Sequence, residues 1–380
     1  MNFFQTTAER EQILLAPYAM HSAQSTGREY PETEHLYRGP YQRDRDRVLH
    51  SAAYRRLADK TQVFTGHMGD YHRTRLTHTL EVASIARTIG RALRLNEDLI
   101  EALAFLHDIG HPPFGHAGED ALDECLSGEG GFSHNVYALC LIRELEIRYA
   151  EFPGLNLTRE VLAGQRARAQ KQSGPSPILE VQVVDLADSI TYDSHDTDDA
   201  LELGLVTLHE LRETCLVAEV VDRVLERNHD LEGRMLRKSV VHELIDWQVG
   251  DVLDHCGTWL REHRPANATA VHAAGFHLGV GSALEEKKSE LEVFLHEQVY
   301  RHEKLIQQRK LAQNQLREMF LGFQRNPHWL PKRFQRRADQ IGLKRSVADY
   351  IAGMTDRYCQ QQYQRLFASN GGGGSVETVC

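Results

Sequence analysis

Apolar residues return at three- and four-residue intervals through TLEVASIARTIGRALRL (79–95) and again through EDLIEALAFLHDIG (97–110). That spacing fits the helical turn and gives each segment one dry side, whereas a half-buried strand needs strict alternation. Alternating runs are nearly absent. Later segments such as ELRETCLVAEVVDRVLERN and SELEVFLHEQVYRHEKLIQQRKLAQNQLREMF keep the helical period. The sequence therefore predicts an all-α protein.

With 380 residues, 41% of them hydrophobic and 26% charged, the chain can bury a sizeable core, which excludes disordered, collagen-like and disulfide-scaffold classes. A net charge of −10 argues against a dedicated nucleic-acid binder, although local basic patches stay open. No stretch approaches the roughly 18 apolar residues of a membrane helix. Glu9, Arg10 and Glu11 fall where a secretory signal needs an apolar run, so an intracellular, cytoplasmic protein without membrane association is expected. Six scattered cysteines with no CxxC pair read as reduced thiols rather than structural zinc or disulfides. The polar stretch from Ala163 to Pro177 reads as an exposed loop, and the Gly/Ser run at 371–380 as a flexible tail.

Histidine is the unusual count, at 21. Arg75 and His78 stand three apart at the opening of the first periodic segment, so a guanidinium and an imidazole share one helical face; a solvated charged face is the plainer alternative. The run His107-Asp108-Ile109-Gly110-His111-Pro112-Pro113-Phe114-Gly115-His116-Ala117-Gly118-Glu119 follows an apolar helix. Ionisable groups crowded against such a helix end are costly to bury unless they bind a cation or each other. Farther on, Asp188, Tyr192 and Asp196 recur every four residues, with Val183, Val184, Leu186, Ala187 and Ile190 among them. Six Asp between 185 and 199 also fit an acidic solvated helix, but the apolar company favours a ligand role for Asp188. His78, His107, Asp108 and Asp188 would make a mixed nitrogen and oxygen site with room for water, suited to hydrolysis.

In these motifs, RRLADKTQVF, RTRLTHTLEVASIAR, HDIGHPPFGHAGE and ADSITYDSHDTDDAL, the chain resembles the HD-domain deoxynucleoside triphosphate triphosphohydrolases, the dGTPase-like family. The likeness continues from Arg43 to the segment Val347–Tyr358. It implies a helical HD-domain bundle with additional helices over 1–370, a metal-binding core at about 50–205 and a C-terminal helical part at about 206–370. It also implies hydrolysis of dGTP or several dNTPs to deoxynucleoside and inorganic triphosphate. By resemblance His78, His107, Asp108 and Asp188 are the metal ligands. His116 is the catalytic histidine with Glu119 behind it, His111 and His134 line the phosphate site, and Arg75 holds phosphate oxygens. Gln62, Tyr192 and Asp196 meet the sugar, where Tyr192 would exclude a 2′ hydroxyl.

The cation expected is Mg, Mn, Co, Fe or Zn, with Mg or Mn preferred. A homo-oligomer, hexameric in many members, is implied as well. Arg325 to Arg345, with Lys332, Arg333, Arg336, Arg337, Lys344, Arg345, Trp329 and Phe334, could bind a single strand or a regulatory dNTP; a solvated surface is the preferred reading. Two alternatives remain at this point: an HD phosphohydrolase acting on another nucleotide phosphate ester, and an inactive nucleotide or nucleic-acid sensor.

Overall fold

The computed structural model describes residues 5–62, 73–170 and 177–367; the expected 371–380 tail lies outside them. These residues form eighteen α-helices, and their only extended pairings are the isolated bridges Arg28 with Thr158 and Thr61 with Thr74. The first nine helices are α1 (Thr7–Leu14), α2 (Pro40–Leu49), α3 (Ala52–Arg56), α4 (Arg75–Ala92), α5 (Glu97–Leu106), α6 (Gly115–Cys125), α7 (His134–Cys140), α8 (Arg159–Ala169) and α9 (Leu179–Glu202). The others are α10 (Leu208–Leu211), α11 (Cys215–Arg227), α12 (Gly233–His263), α13 (Ala268–Ala273), α14 (Ser282–Phe294), α15 (Glu303–Arg325), α16 (Lys332–Ile341), α17 (Leu343–Ala352) and α18 (Asp356–Phe367).

α5 is the centre. Leu99, Ile100, Ala102, Leu103, Ala104, Phe105 and Leu106 are all buried, as a helix apolar on every side requires, and α2, α4 and α9 pack around it. Its start is fixed by Asn96, whose side chain accepts from the Leu99 amide at 3.2 Å, and by Glu97 and Asp98 in the first turn, where the helix dipole favours negative charge. Each fully buried Leu or Ile contributes about 1.5–3 kcal/mol. α5 is thus a rigid floor, and His107 stands directly at its end.

The turn after His107 depends on glycine twice. A Cβ on Gly110 would lie 2.0 Å from the His134 carbonyl oxygen, so only glycine lets this turn meet the start of α7. Phe114 and Gly115 both have positive φ, 63° and 58°, and a Cβ on Gly115 would lie 2.7 Å from the Arg75 guanidinium. The backbone is thereby folded tightly against Arg75.

Two expectations fail here. The 163–177 stretch is not a loop throughout: α8 runs to Ala169, with Gly164 and Gln165 buried, and residues 171–176 lie outside the described residues. Its polar composition hid one inward side, where Gly164 meets Leu103 and Val181 and Gln165 donates to the Asn135 carbonyl at 3.2 Å. The basic 325–345 segment is not a solvated surface throughout. Phe334 is 3% exposed and Trp329 packs on the core, while Arg337 pairs with Asp349 at 2.7 Å and Arg345 donates to the Gly131 carbonyl at 2.9 Å. Lys332, Arg333 and Arg336 alone among its basic residues from 332 to 337 stay exposed.

The C-terminal half does not stand apart. One apolar cluster reaches from Ala19 to Cys359, α15 lies along α6, and α12 along α9. Among the described residues no helix is long and apolar enough to cross a membrane, and the five described cysteines are unpaired.

Candidate active site

The α4–α9 contact and the end of α5 bring three of the four expected ligands together. Ligand atoms of His78, His107 and Asp188 all lie within 4.8 Å of one another. Asp188 Oδ1 is 2.9 Å from His78 Nε2 and 3.6 Å from His107 Nε2. Asp108 joins from the edge, with Oδ1 3.7 Å from His107 Nε2.

Whether these residues suit a cation is decided by His107. Its Nδ1 lies 2.6 Å from the Ala104 carbonyl oxygen, which assigns the ring proton to that nitrogen. Its buried Nε2 then carries a bare lone pair and has no hydrogen-bond partner. Facing carboxylates at 3.6 and 3.7 Å are too far for hydrogen bonds but suit atoms sharing a metal, whose ligands at about 2.0–2.2 Å stand roughly 3–3.6 Å apart. Burial also lowers the His107 pKa and keeps the ring neutral. Burial opposes ionisation of both carboxylates, yet is outweighed: Arg75, His107 and His111 hold Asp108 well below the usual range, and His107 and His78 do the same for Asp188. A neutral His107 and ionised carboxylates are what a divalent cation needs, so the donor set fits.

The acidic α9 turns out to be buried rather than solvated. Of its six Asp, Asp185 pairs with Arg168, Asp193 with Lys288, Asp198 with Lys238 and Asp199 with Arg73. Asp188 faces only imidazoles in its ion pairs, and both Asp196 oxygens lack a hydrogen-bond partner. Burial, with Asp199 and Asp193 nearby, pushes Asp196 well above the usual carboxyl range. Asp196 lines neither cavity described below, unlike its helix mate Tyr192.

Arg75 is almost fully buried, donating to Asp108 Oδ2 at 2.8 Å and to the Gln62 carbonyl at 3.3 Å. Its Nε has no partner, so the guanidinium braces Asp108 while keeping one donor spare. His111 Nε2 sits 3.1 Å from Asp108 Oδ1, and its ring stacks on His134 at 3.8 Å and 16°.

Beside the ligand group lies a second one, in which His111, Glu119 and His134 also place ligand atoms within 4.8 Å. Glu119 accepts from the His134 amide at 2.9 Å and approaches its Nδ1 at 2.8 Å, but stands 3.4 Å from Nδ1 of His116. Its main partner is therefore His134, with His116 secondary. Despite its burial, these two imidazoles hold the Glu119 carboxyl far below its usual range. The His116 side chain is 54% exposed, far more than His78, His107, His111 or His134.

A cleft of about 1400 Å³ opens over both groups, lined by Gln62, Arg75, His78, His107, Asp108, Asp188, His111, His116 and His134. Arg166, Arg168 and Gln182 form its other wall. A contiguous inner cavity of about 280 Å³ shares Gln62, His116 and Tyr192 and adds Phe114, His296, Tyr300 and Arg309. Tyr192 and Tyr300 stack at 6.3 Å and 22°. The wall from α8 and the pair His296–Tyr300 escaped the sequence reading; only their four-residue spacing inside a helical run hinted that they share a face.

The C-terminal signature, to which the sequence assigned no roles, holds the site together. Asp356 accepts from the Thr61 amide at 2.9 Å and from the Phe114 amide at 2.9 Å, tying the segment that leads to Gln62 to the histidine turn. Buried Lys60 donates to the carbonyls of His111 and Ala352.

Comparison with known proteins agrees with this geometry. Residues 75–193 match the HD domain, and 278–365 match the phosphohydrolase-associated domain. The deoxyguanosinetriphosphate triphosphohydrolase-like protein of Nitrosomonas europaea is 42% identical over 93% of this chain and 98% of its own. Those of Ralstonia pickettii and Geobacter sulfurreducens are each 40% identical, over 93% and 94% of this chain and 95% and 96% of theirs. The match spans both the helices that carry the histidine and aspartate ligands and the C-terminal segment that braces them, so the chain belongs to the deoxyguanosinetriphosphate triphosphohydrolase-like family of HD-domain proteins.

Proposed function

We propose that this protein hydrolyses deoxynucleoside triphosphates, releasing deoxynucleoside and inorganic triphosphate, in a reaction that depends on a divalent cation, Mg or Mn. The observation that carries the reading is the buried His107 Nε2, without a hydrogen-bond partner and ringed by His78, Asp108 and Asp188, at the floor of a cleft large enough for a nucleotide. A cation held by those four residues supplies Lewis-acid polarisation of a phosphoryl group.

The remaining chemistry belongs to the side chains. Arg75, which lines the cleft, donates to a phosphoryl oxygen. His116 gives its proton to the departing 5′ oxygen, with the ionised Glu119 carboxylate 3.4 Å from its Nδ1. Glu119 also fixes His134, which with His111 walls the phosphate channel. The sugar lies between Gln62, whose Oε1 lacks a hydrogen-bond partner, and Tyr192, whose ring would meet a 2′ hydroxyl. Asp196, which lines neither cavity, makes no contact with the sugar in this reading. The family reading carries with it a cytoplasmic homo-oligomer.

The test is a product analysis with the four dNTPs and several divalent ions. Deoxynucleoside with free triphosphate supports the proposal, whereas orthophosphate or a nucleoside monophosphate indicates another phosphate ester. Turnover that persists in H107A refutes the assigned site, and absence of turnover in the parent with every ion tested favours the sensor.

A further inference from the structure

Glu81 and His195 lie outside the group of ligand atoms, yet they complete a chain of contacts that starts inside it. His78 presents Nε2 to Asp188 at 2.9 Å, and its Nδ1 stands 3.3 Å from Nδ1 of His195. The other ring nitrogen of His195, Nε2, meets a carboxylate oxygen of Glu81. His195 is 3% exposed and follows Asp188 by seven residues on α9, two turns along the same face. Glu81 follows His78 by three on α4, so the helix contact that joins His78 to Asp188 also joins Glu81 to His195. Arg73 closes the far end, 3.3 Å from Glu81 and 3.3 Å from Asp199.

One proton arrangement satisfies every atom. For His78 Nε2 to offer a lone pair, its ring proton must sit on Nδ1, and that N–H needs an acceptor. A bare His195 Nδ1 provides it, which puts the His195 proton on Nε2, where it is donated to the Glu81 carboxylate. His107 reaches the same state through a backbone carbonyl, which cannot change its role. His78 alone depends on two further side chains.

We infer that Glu81 and His195 are positioning residues that hold His78 in the tautomer and orientation required for binding a divalent cation. The inference rests on the reading of His78 as a ligand. Outer partners of ligating histidines are typically worth about 10–100-fold in metal affinity. A mere tie between α4 and α9 would cost stability and leave affinity alone.

The experiment titrates metal-free protein with Co(II) against a fluorescent chelator and records the visible cobalt bands, for the parent, H195A, H195N, E81A and H107A. The Asn Oδ1 occupies the place of His195 Nδ1 and restores the acceptor for His78 without restoring the Glu81 contact. H195A is expected to bind cobalt about 10–100-fold more weakly with altered bands, H195N to recover most of that loss, and E81A to fall toward the low end of the range. Melting of the metal-free proteins is expected to drop similarly for H195A and H195N. Parental affinity and bands in H195A overturn the inference, as does an H195N no better than H195A. Should H195A not fold, E81A decides, since that side chain is half exposed: unchanged affinity and bands there overturn it. A parent that takes up no cobalt, or takes it up regardless of H107A, overturns the ligand reading together with the relay.

Discussion

Two histidine–carboxylate groups share one cleft, and each gathers three ligand atoms within 4.8 Å. By distance alone they are equivalent. They differ in which lone pairs are already used. In the His78–His107–Asp188 group the ring proton of His107 is taken by a backbone carbonyl, and its Nε2 faces carboxylates with no hydrogen bond made. In the His111–Glu119–His134 group the carboxylate is spent on the His134 amide and ring, and what remains of it faces His116. One group is short of a positive charge, whereas in the other the carboxylate is already engaged, although His111 Nδ1 lacks a hydrogen-bond partner, and an accessible imidazole stands at its edge. The first has the make-up of a cation site and the second that of a proton-handling site.

The sharpest way to break this division is H107A. Removing the lone pair should reduce metal uptake by more than the roughly 100-fold ceiling for an outer partner and abolish measurable turnover, read by metal analysis and product chromatography. If uptake is unchanged, the two groups have been assigned the wrong way round. H116A should behave oppositely, with kcat down about 10²–10⁴-fold and cobalt affinity within a fewfold of the parent. E119Q should follow H116A in losing kcat, and weakened metal uptake in either would merge the two groups into one.

The ligand group was legible in the sequence because its residues sit on strongly periodic helices: His78 near the start of α4, His107 one step beyond α5, Asp188 inside α9. Once those helices are placed, their contacts are forced by the apolar faces. α9 shows the limit of that legibility. Six Asp look alike in the sequence, and only the partners supplied by distant segments, Arg73, Arg168, Lys238 and Lys288, separate the neutralised ones from Asp188. The relay through His195 was readable in principle, since Asp188 and His195 stand seven apart. The bracing by Asp356 was not, because nothing local ties a C-terminal helix start to Thr61 and Phe114.

That bracing bears on both groups at once. Asp356 holds the segment carrying Gln62 against the turn carrying His111 and His116. In D356N one of the two backbone contacts loses its charge-assisted acceptor, and a hydrogen bond to a charged group is worth about 1.5–3 kcal/mol. A lowered melting temperature is expected with metal affinity nearly intact, since none of the four ligands touches Asp356. A large loss of affinity would mean that the cation group, too, is held from the C-terminal side.

The smallest expected effect comes from Lys60, beneath the second group. Burial, aided by Arg56 and Arg75 and opposed by Asp356 and Asp108, pushes its ammonium down to about 7 from 10.5. The sign follows from proton counting. Between about 7 and 10.5 the unfolded chain holds a proton that the folded chain has released, so stability rises with pH across that window. Below pH 7 both states are protonated and the cost of burying the charge is present in full. A single group can contribute at most about 1.4 kcal/mol per pH unit. K60M leaves the His111 and Ala352 carbonyls unpaired and should be less stable at every pH, so the diagnostic quantity is the slope and not the level. Denaturant midpoints at pH 7.5 and 9.5 should diverge less in K60M than in the parent. Equal slopes would show that Lys60 stays protonated in the fold, which would add a fixed positive charge under the histidine turn.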